Sequence, residues 1–219
     1  MVRRRRPALH PQVALPPSDD PPARRPPGGG DRFARPAQPG RGAPGRRSPG
    51  RRRAMMSQRK QSIADHLRSA HEATWPVLAS LTESDRQQPV YGEGEGEWKV
   101  TDLVAHLADA EKGLLGQVQR LLAGKMTVPD DFDLNRWNRS AVRRNRGRSH
   151  EELVAEIRTA HLEALRTLEQ IDEAALGLRG RHSSGEILTV EGFFRRMADH
   201  RREHTRDIER ALSGRGGRA

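Results

Sequence analysis

Four long stretches of the chain carry apolar residues at spacings of three and four, which is the pattern of amphipathic helices. The first stretch begins at Ser57, and the second runs from about Thr101 to Leu122. The third begins at Ser149, where S-x-x-E forms a capping box, and the fourth runs from Leu188 to Leu212. No stretch alternates as a strand would. The pattern therefore predicts an all-α four-helix bundle.

The fourth stretch places two histidines where a helix in a bundle needs apolar residues. One of its faces holds Val190, Phe193, Met197, His200, His204, Ile208 and Ala211. His200 and His204 lie one turn apart, so their imidazoles leave the helix side by side. A pair at this spacing can offer two nitrogens to one metal ion, and a facing helix can supply a further ligand.

A third histidine, His106, lies on the second stretch between Leu103 and Leu107, at the edge of the apolar face. Three neutral imidazoles bind zinc, nickel, iron or copper and leave positions open for water or substrate, as catalytic sites do. We therefore predict a metal site formed by His106, His200 and His204. The alternative interpretation is that all three are ordinary polar or boundary residues of their helices.

The string H-R-R-E-H from His200 to His204 also matches the H-x-x-E-H pattern of inverted zinc peptidases. Those enzymes take their third ligand well downstream, whereas 15 residues follow His204, so we do not expect a peptidase. His161 is a candidate for a hydrogen bond to a metal ligand. The arginines between residues 136 and 148 could orient an anionic substrate, or they could form a solvated face that balances acids elsewhere.

The basic charge of the chain is concentrated at its N-terminus. Residues 1–54 hold 14 arginines, three aspartates and 12 of the 15 prolines, whereas the rest holds 26 basic and 26 acidic residues. We expect this tail to be disordered. It is either upstream sequence before a true start at Met55 or Met56, or a basic arm for nucleic acid or anionic lipid. The folded domain is predicted over residues 55–214, and a nucleic-acid partner is expected only through the tail.

The composition also limits the chemistry and the location. No cysteine occurs, which excludes disulfides, thiolate metal ligands and a cysteine nucleophile. No apolar run approaches the roughly 20 residues that a bilayer-spanning helix requires. We therefore expect a cytoplasmic protein without a membrane partner.

Two segments resemble a known family. The run WKVTDLVAHLADAEKGLL resembles the W-S-V-x-D-V-L-x-H-L signature at the second helix of the DinB-like superfamily, also called the YfiT-like metal-dependent hydrolases. The run MADHRREHTRDI resembles the H-x-x-x-H motif of its fourth helix, and the resemblance covers about residues 57–213. It implies a four-helix bundle, often dimeric, with nickel or zinc bound by His106, His200 and His204. Lys99 stands where the family usually has serine.

The same family includes the bacillithiol S-transferases and the mycothiol-dependent maleylpyruvate isomerases, in which the metal activates a small thiol. The isomerases typically have glutamate at the position of His200, so the chain resembles the three-histidine branch. The resemblance implies an enzyme that activates mycothiol, bacillithiol or water for attack on a small electrophilic substrate. Glu203 and Asp109 are our candidates for proton transfer. The alternative is a non-catalytic metal-binding module of the stress response.

Overall fold

The computed structural model describes residues 56–92, 97–145 and 147–214. Within these residues the bundle is formed by four long helices, α1 (Gln58–Ser80), α3 (Val100–Leu122), α5 (His150–Gln170) and α6 (Val190–Ser213). Two shorter helices, α2 (Glu83–Arg86) and α4 (Leu134–Asn145), lie in the connections. The four-helix bundle predicted from the apolar stripes is confirmed.

Polar caps fix where the long helices begin. The side chains of Ser57, Ser149 and Thr189 each accept a hydrogen bond from the backbone N–H three residues later. α3 begins differently, because Lys99 has no oxygen with which to cap it. The backbone N–H of Lys99 instead donates to the carboxylate of Asp102 at 2.9 Å. Asp102, an acidic residue in the first turn, thus stabilises the start of α3. Lys99 itself stands at the position where the family usually has serine.

Contacts between side chains on different helices give the directions of the helices. Arg59 near the start of α1 pairs with Glu191 near the start of α6, and Ser69 contacts Arg202 further along both, so these helices are parallel. α5 is antiparallel to α1, since Lys60 donates to the carbonyls at the end of α5. α3 packs against both α5 and α6. The shorter α4 also packs against α3, which is therefore buried on several faces.

Two short hairpins, which the sequence analysis did not predict, precede the two helices that carry the predicted ligands. Strand β1 (Pro89–Tyr91) pairs with β2 (Trp98–Lys99), and β3 (Arg179–Arg181) pairs with β4 (Ile187–Thr189), both antiparallel. β2 leads directly into α3, and β4 leads directly into α6. Strands of two or three residues are too short to show an alternating pattern, which is why the sequence does not reveal them.

The apolar core consists of two clusters along the bundle. One surrounds Phe193 and Met197 near the start of α6, and the other includes Leu103 near the start of α3 and Ile208 near the end of α6. On α6 the segment that contains the two histidines lies between these clusters. The polar side chains predicted as ligands thus occupy the interior of the bundle, where they are removed from water.

No helix in the described ranges combines the length and the apolar character that a membrane crossing requires. The basic tail predicted at residues 1–54 lies outside the described residues, as does residue 55, at which the predicted domain begins. The domain limits 55–214 therefore stay a prediction.

Candidate metal centre

Three buried histidines meet between α3 and α6. His106 comes from α3, and His200 and His204 come from consecutive turns of α6. One ring nitrogen from each residue lies within 4.8 Å of those of the others. The ring centroids are 4.4 Å apart within the pair on α6, and they lie 5.3 and 5.1 Å from the ring centroid of His106. The structure brings together the three residues that the sequence predicts as ligands.

Four of the six ring nitrogens of these residues are buried without hydrogen-bond partners among the described residues. They are Nδ1 of His106, both nitrogens of His200 and Nε2 of His204, all of them buried. Buried polar atoms are nearly always paired, because an unpaired one costs about 1–3 kcal/mol. Four such atoms in one cluster fit a divalent ion, to which imidazole nitrogens bind at about 2.0–2.1 Å. Three imidazole nitrogens suit zinc, nickel, iron and copper.

Burial keeps the imidazoles of His106 and His200 in the form that binds metal. Loss of contact with water lowers the pKa of His106 well below 6.5, and the nearby His204 lowers it further. Burial also lowers the pKa of His200 well below 6.5, and the other two histidines add to this effect. Because a metal binds the neutral imidazole through its free lone pair, neither His106 nor His200 has to release a proton near pH 7.

His204 is held by two residues that the sequence analysis did not single out. Its Nδ1 lies 3.2 Å from the carboxylate of Asp207 and 3.1 Å from the hydroxyl of Tyr91, which itself donates to Asp207. Burial raises the pKa of Asp207, but hydrogen bonds from His204, Tyr91 and Arg210 lower it to about 2. The ionised carboxylate accepts the Nδ1–H of His204, which leaves Nε2 free to bind an ion.

The spacing of Asp207 to His204 is the feature of the sequence that could have revealed this pair. Asp207 lies three residues after His204, and side chains at that spacing are neighbours on a helix. Tyr91 could not have been found in this way, because it lies on β1 and is 113 residues away from His204 in the chain. The first hairpin brings it to the site.

The two carboxylates predicted for proton transfer do not hydrogen-bond to the three histidines in the described part of the chain. Asp109 lies on α3 one turn after His106 and pairs with Arg144 at 3.3 and 3.4 Å. Burial raises the pKa of Asp109 above its usual range, although Arg144 opposes the shift. Glu203 is exposed and pairs with Arg196 at 3.1 and 3.2 Å. The roles predicted for Asp109 and Glu203 stay predictions.

His161 and two of the arginines near α4 make other contacts. His161 stacks on His71 with ring centroids 4.3 Å apart, and His71 contacts the guanidinium of Arg201. Arg144 and Arg148 pair with acidic residues of α3 and α5. These ion pairs favour the interpretation of the two arginines as charges that balance acids elsewhere.

Replacing Asp207 by asparagine is expected to weaken zinc binding by about 10–100-fold, because His204 loses the charged acceptor that fixes its tautomer and ring orientation. The measurement is a competition titration against a chromophoric chelator. The matched control is Asp199→Asn on the same helix, where the carboxylate bonds His66 and not the cluster. Equal zinc affinity for Asp207→Asn and the wild type would show that the carboxylate does not orient His204.

Two further buried histidines make the stability of the metal-free protein depend on pH. Burial, together with the charge of nearby arginines, lowers the pKa of His161 to about 3 and that of His182 to about 4. Below pH 6.5 the unfolded chain binds protons that the folded protein excludes. These two histidines therefore leave the unfolding free energy at its full value above pH 6.5. They lower it as the pH falls towards their pKa values of about 3 and 4.

Urea unfolding of metal-free protein between pH 8 and pH 4.5 is expected to show this loss. His161→Phe keeps an aromatic ring against His71 but cannot titrate. Below pH 6 the unfolding free energy of this variant should fall less steeply than that of the wild type. The two slopes should differ by up to about 1.4 kcal/mol per pH unit, which corresponds to one proton. Between pH 7 and pH 8 the two proteins should show the same pH dependence. Parallel curves below pH 6 would contradict the expectation.

The comparisons with known proteins agree with this fold. A model described as the DinB superfamily matches residues 66–208, which include all three histidines. Among solved structures, the chain is similar to "YfiT from Bacillus subtilis", titled a probable metal-dependent hydrolase with an unusual four-helix bundle topology. It is 18% identical, with a TM-score of 0.60, and the match covers 75% of this chain and 92% of that one.

A second similar structure is the colibactin self-resistance protein ClbS in complex with double-stranded DNA. It is 16% identical, with a TM-score of 0.56, and the match covers 70% of this chain and 94% of that one. At these identities both structures show likeness of fold alone. No curated protein matches the chain in sequence.

Proposed function

Because the chain belongs to the DinB superfamily, we propose that it is a metal-dependent enzyme that activates a small thiol or a water molecule for attack on an electrophilic substrate. The observation that carries this proposal is the convergence of ring nitrogens from His106, His200 and His204 within 4.8 Å. Three protein ligands leave positions for substrate, which is typical of a catalytic rather than a structural ion. We propose zinc or nickel as that ion.

A bound divalent ion would supply a positive charge that lowers the pKa of a thiol or a water molecule beside it. The rest of the chemistry is assigned to the side chains around it. Asp207 and Tyr91 orient His204. Trp98 packs edge-on against His106, with ring centroids 5.6 Å apart, and shields it from water. Asp109, whose pKa is raised by burial although Arg144 opposes the shift, is one of the two carboxylates that we propose for proton transfer.

Glu203 is the second carboxylate proposed for proton transfer. It stands next to His204 in the chain, and it forms a bidentate pair with Arg196. The surroundings of the two carboxylates differ. Glu203 is exposed and paired with Arg196, whereas Asp109 is mostly buried and paired with Arg144.

The thiol itself has to come from a ligand, since the chain contains no cysteine. We therefore propose a low-molecular-weight thiol such as mycothiol or bacillithiol as the nucleophile, with water as the simpler alternative. The absence of cysteine also agrees with our proposal that the protein acts in the cytoplasm, where thiols stay reduced. The homodimer implied by the family resemblance stays a prediction, to be checked by light scattering.

The first test is elemental analysis of protein purified without chelators, with about one zinc or nickel ion per chain as the expected result. The second is thiol transfer to monochlorobimane and hydrolysis of simple esters, each with several thiols and with and without metal. Metal-dependent turnover in either assay would support the enzyme. A tightly bound ion without turnover in any assay would favour a non-catalytic metal-binding module instead, and protein without metal would contradict both hypotheses.

A further inference from the structure

One face of α3 carries both His106 and Gln117, with only small residues between them. Eleven residues are close to three helical turns, so the two side chains leave α3 in directions that differ by about 20°. Ala110 and Gly113 occupy the same face between them. The segment from His106 to Gln117 is about 16 Å long. Between its two polar ends, this face of α3 therefore carries small side chains.

Gln117 shows that this face is polar at its far end. Its side chain is 1% exposed, yet neither its amide nitrogen nor its amide oxygen has a hydrogen-bond partner among the described residues. A buried amide that lacks every partner costs several hydrogen bonds to water. Gln117 lies on the same face of α3 as His106. Its unpaired amide therefore indicates that a small molecule bound along this face has a polar group beside Gln117.

The facing helix presents a matching set of side chains. On α6, Arg196 lies one turn before His200, and Phe193 lies almost one turn before Arg196. The guanidinium of Arg196 lowers the pKa of His200, which places its charge close to the cluster. Its two Nη atoms bind Glu203, but its Nε–H is buried and unpartnered in the described part of the chain.

The turn between β3 and β4 adds a third polar group. His182 is fully buried, packs on Phe193 with ring centroids 5.9 Å apart, and interacts electrostatically with both Arg196 and His200. The backbone N–H of Ser184 donates to Nδ1 of His182, so in the neutral ring the proton is on Nε2. This Nε2–H has no acceptor in the described residues.

The hairpin that carries His182 is fixed against the end of α3. A Cβ atom added to Gly180 would lie 2.6 Å from the side chain of Leu121, so the strand approaches the helix as closely as glycine allows. Thr127 also donates to the backbone carbonyl of Arg181 at 2.6 Å. His182 is therefore held beside the part of α3 that contains Gln117, one turn before Leu121.

We propose that Gln117, His182 and Arg196 form a binding site for the carboxylate group of an elongated organic ligand whose other end reaches the three histidines. The inference deepens the proposed function and rests on it, since it names the class of substrate or thiol that the metal site would act on. The three side chains offer N–H donors from an amide, a neutral imidazole and a guanidinium. A carboxylate has two oxygens and about four acceptor positions for such donors.

The surroundings favour a ligand group that is rich in hydrogen-bond acceptors. The charge of Arg196 is already paired with Glu203, but its Nε–H is free to donate. The side-chain N–H groups of Gln117 and His182 likewise lack acceptors in the described residues. Trp137, which packs against Ala110 on the same face of α3, contributes a further buried N–H without a partner in the described residues. Phe193 supplies an apolar wall for the body of the ligand.

Calorimetric titration of metal-loaded protein with 4-phenylbutyrate tests the site, with the uncharged amide of the same acid as the reference ligand. Gln117→Leu and His182→Phe should each weaken 4-phenylbutyrate binding by about tenfold or more, because each removes a buried donor to a charged acceptor. Gln119→Leu is the matched control, since it makes the same change two residues away on the exposed face of α3. It should bind like the wild type.

Equal affinity for the acid in Gln117→Leu and in the wild type would overturn the proposal, since a carboxylate on the metal ion alone does not need Gln117. Equal affinity of the wild type for the acid and its amide, or no binding of the acid, would overturn it too. Elemental analysis of the same samples separates this proposal from the metal-dependent function. Binding of the acid that needs Gln117 in protein without metal would support the site and defeat that function.

Gln117→Leu is also expected to unfold at a higher temperature than the wild type, because leucine replaces an amide that is buried without partners. This second measurement confirms that the variant is folded. A lower unfolding temperature for Gln117→Leu would indicate that the amide stabilises the bundle through its own contacts, and it would count against a role in binding.

Discussion

His200→Leu is expected to lower the affinity for zinc or nickel by more than about 100-fold, since losing one of three ligands should exceed the 10–100-fold cost of losing a residue that only orients one. The same change should raise the unfolding free energy of the metal-free protein by about 1–3 kcal/mol. Both ring nitrogens of His200 are buried without partners, and leucine removes that cost while filling similar space. Opposite signs for binding and stability are the mark of a residue kept for function.

Competition titration with a chromophoric chelator measures the affinity, and urea unfolding after chelator treatment measures the stability. His161→Leu is the control, because it removes another buried histidine that stacks on His71, away from the cluster. It should bind metal like the wild type. Metal retained by His200→Leu at wild-type affinity would show that the three histidines are not the metal site.

The sequence predicted the fold because the bundle is formed by periodic signals that act over short distances. The capping residues Ser57, Ser149 and Thr189 lie where the helices begin, and the apolar stripes between them are buried. The resemblance to the DinB-like superfamily, drawn from two motifs, is confirmed by the family model that matches residues 66–208. Local pattern was sufficient for these features because each depends on residues less than one helix apart.

The three-histidine cluster was predictable for a related reason. His200 and His204 interrupt an apolar face at the spacing that brings side chains together on one helix, and this anomaly is visible in a single stretch. His106 could be predicted as a metal ligand only on the assumption that α3 and α6 face each other. The structure satisfies that assumption, with ring centroids 5.1 and 5.3 Å from those of the pair.

Contacts across the bundle between polar residues could not be predicted. Tyr91 reaches His204 through a hairpin whose strands have two and three residues. Arg201 lies in the polar run DHRREH, yet it is 2% exposed. α6 packs against both α1 and α3, so its buried face is wider than the apolar stripe indicates. A polar residue at the margin of that stripe is buried when the neighbouring helix carries a side chain with which it can pair.

Arg201 of α6 pairs with Glu111 of α3. The two side chains form a bidentate ion pair at the centre of the bundle, with Glu111 wholly buried, and Nη1 of Arg201 also contacts His71 at 3.0 Å. Burial raises the pKa of Glu111 even though Arg201 lowers it, so desolvation outweighs the attraction between the charges. A pair of this kind is costly to form and more costly to break.

Glu111→Ala is therefore expected to lower the unfolding free energy of the metal-free protein by about 3–5 kcal/mol, because it leaves the guanidinium of Arg201 charged and unpaired in the core. Urea unfolding at pH 7 measures the change. Glu156→Ala is the control, since that glutamate pairs with Lys112 and Arg148 at the surface and its loss should cost about 1 kcal/mol or less. A similar small cost for Glu111→Ala would show that water reaches the ion pair.

The double variant Glu111→Leu with Arg201→Met separates the cost of the unpaired charge from the value of the pair itself. With both charges removed and the volume nearly kept, the stability should return to that of the wild type or exceed it by about 1–4 kcal/mol. Metal affinity should be unchanged, because neither residue belongs to the three-histidine cluster. If the double variant is as unstable as Glu111→Ala, the ion pair makes a net contribution to the fold. If it is stable but loses metal, the pair instead positions His200, its neighbour on α6.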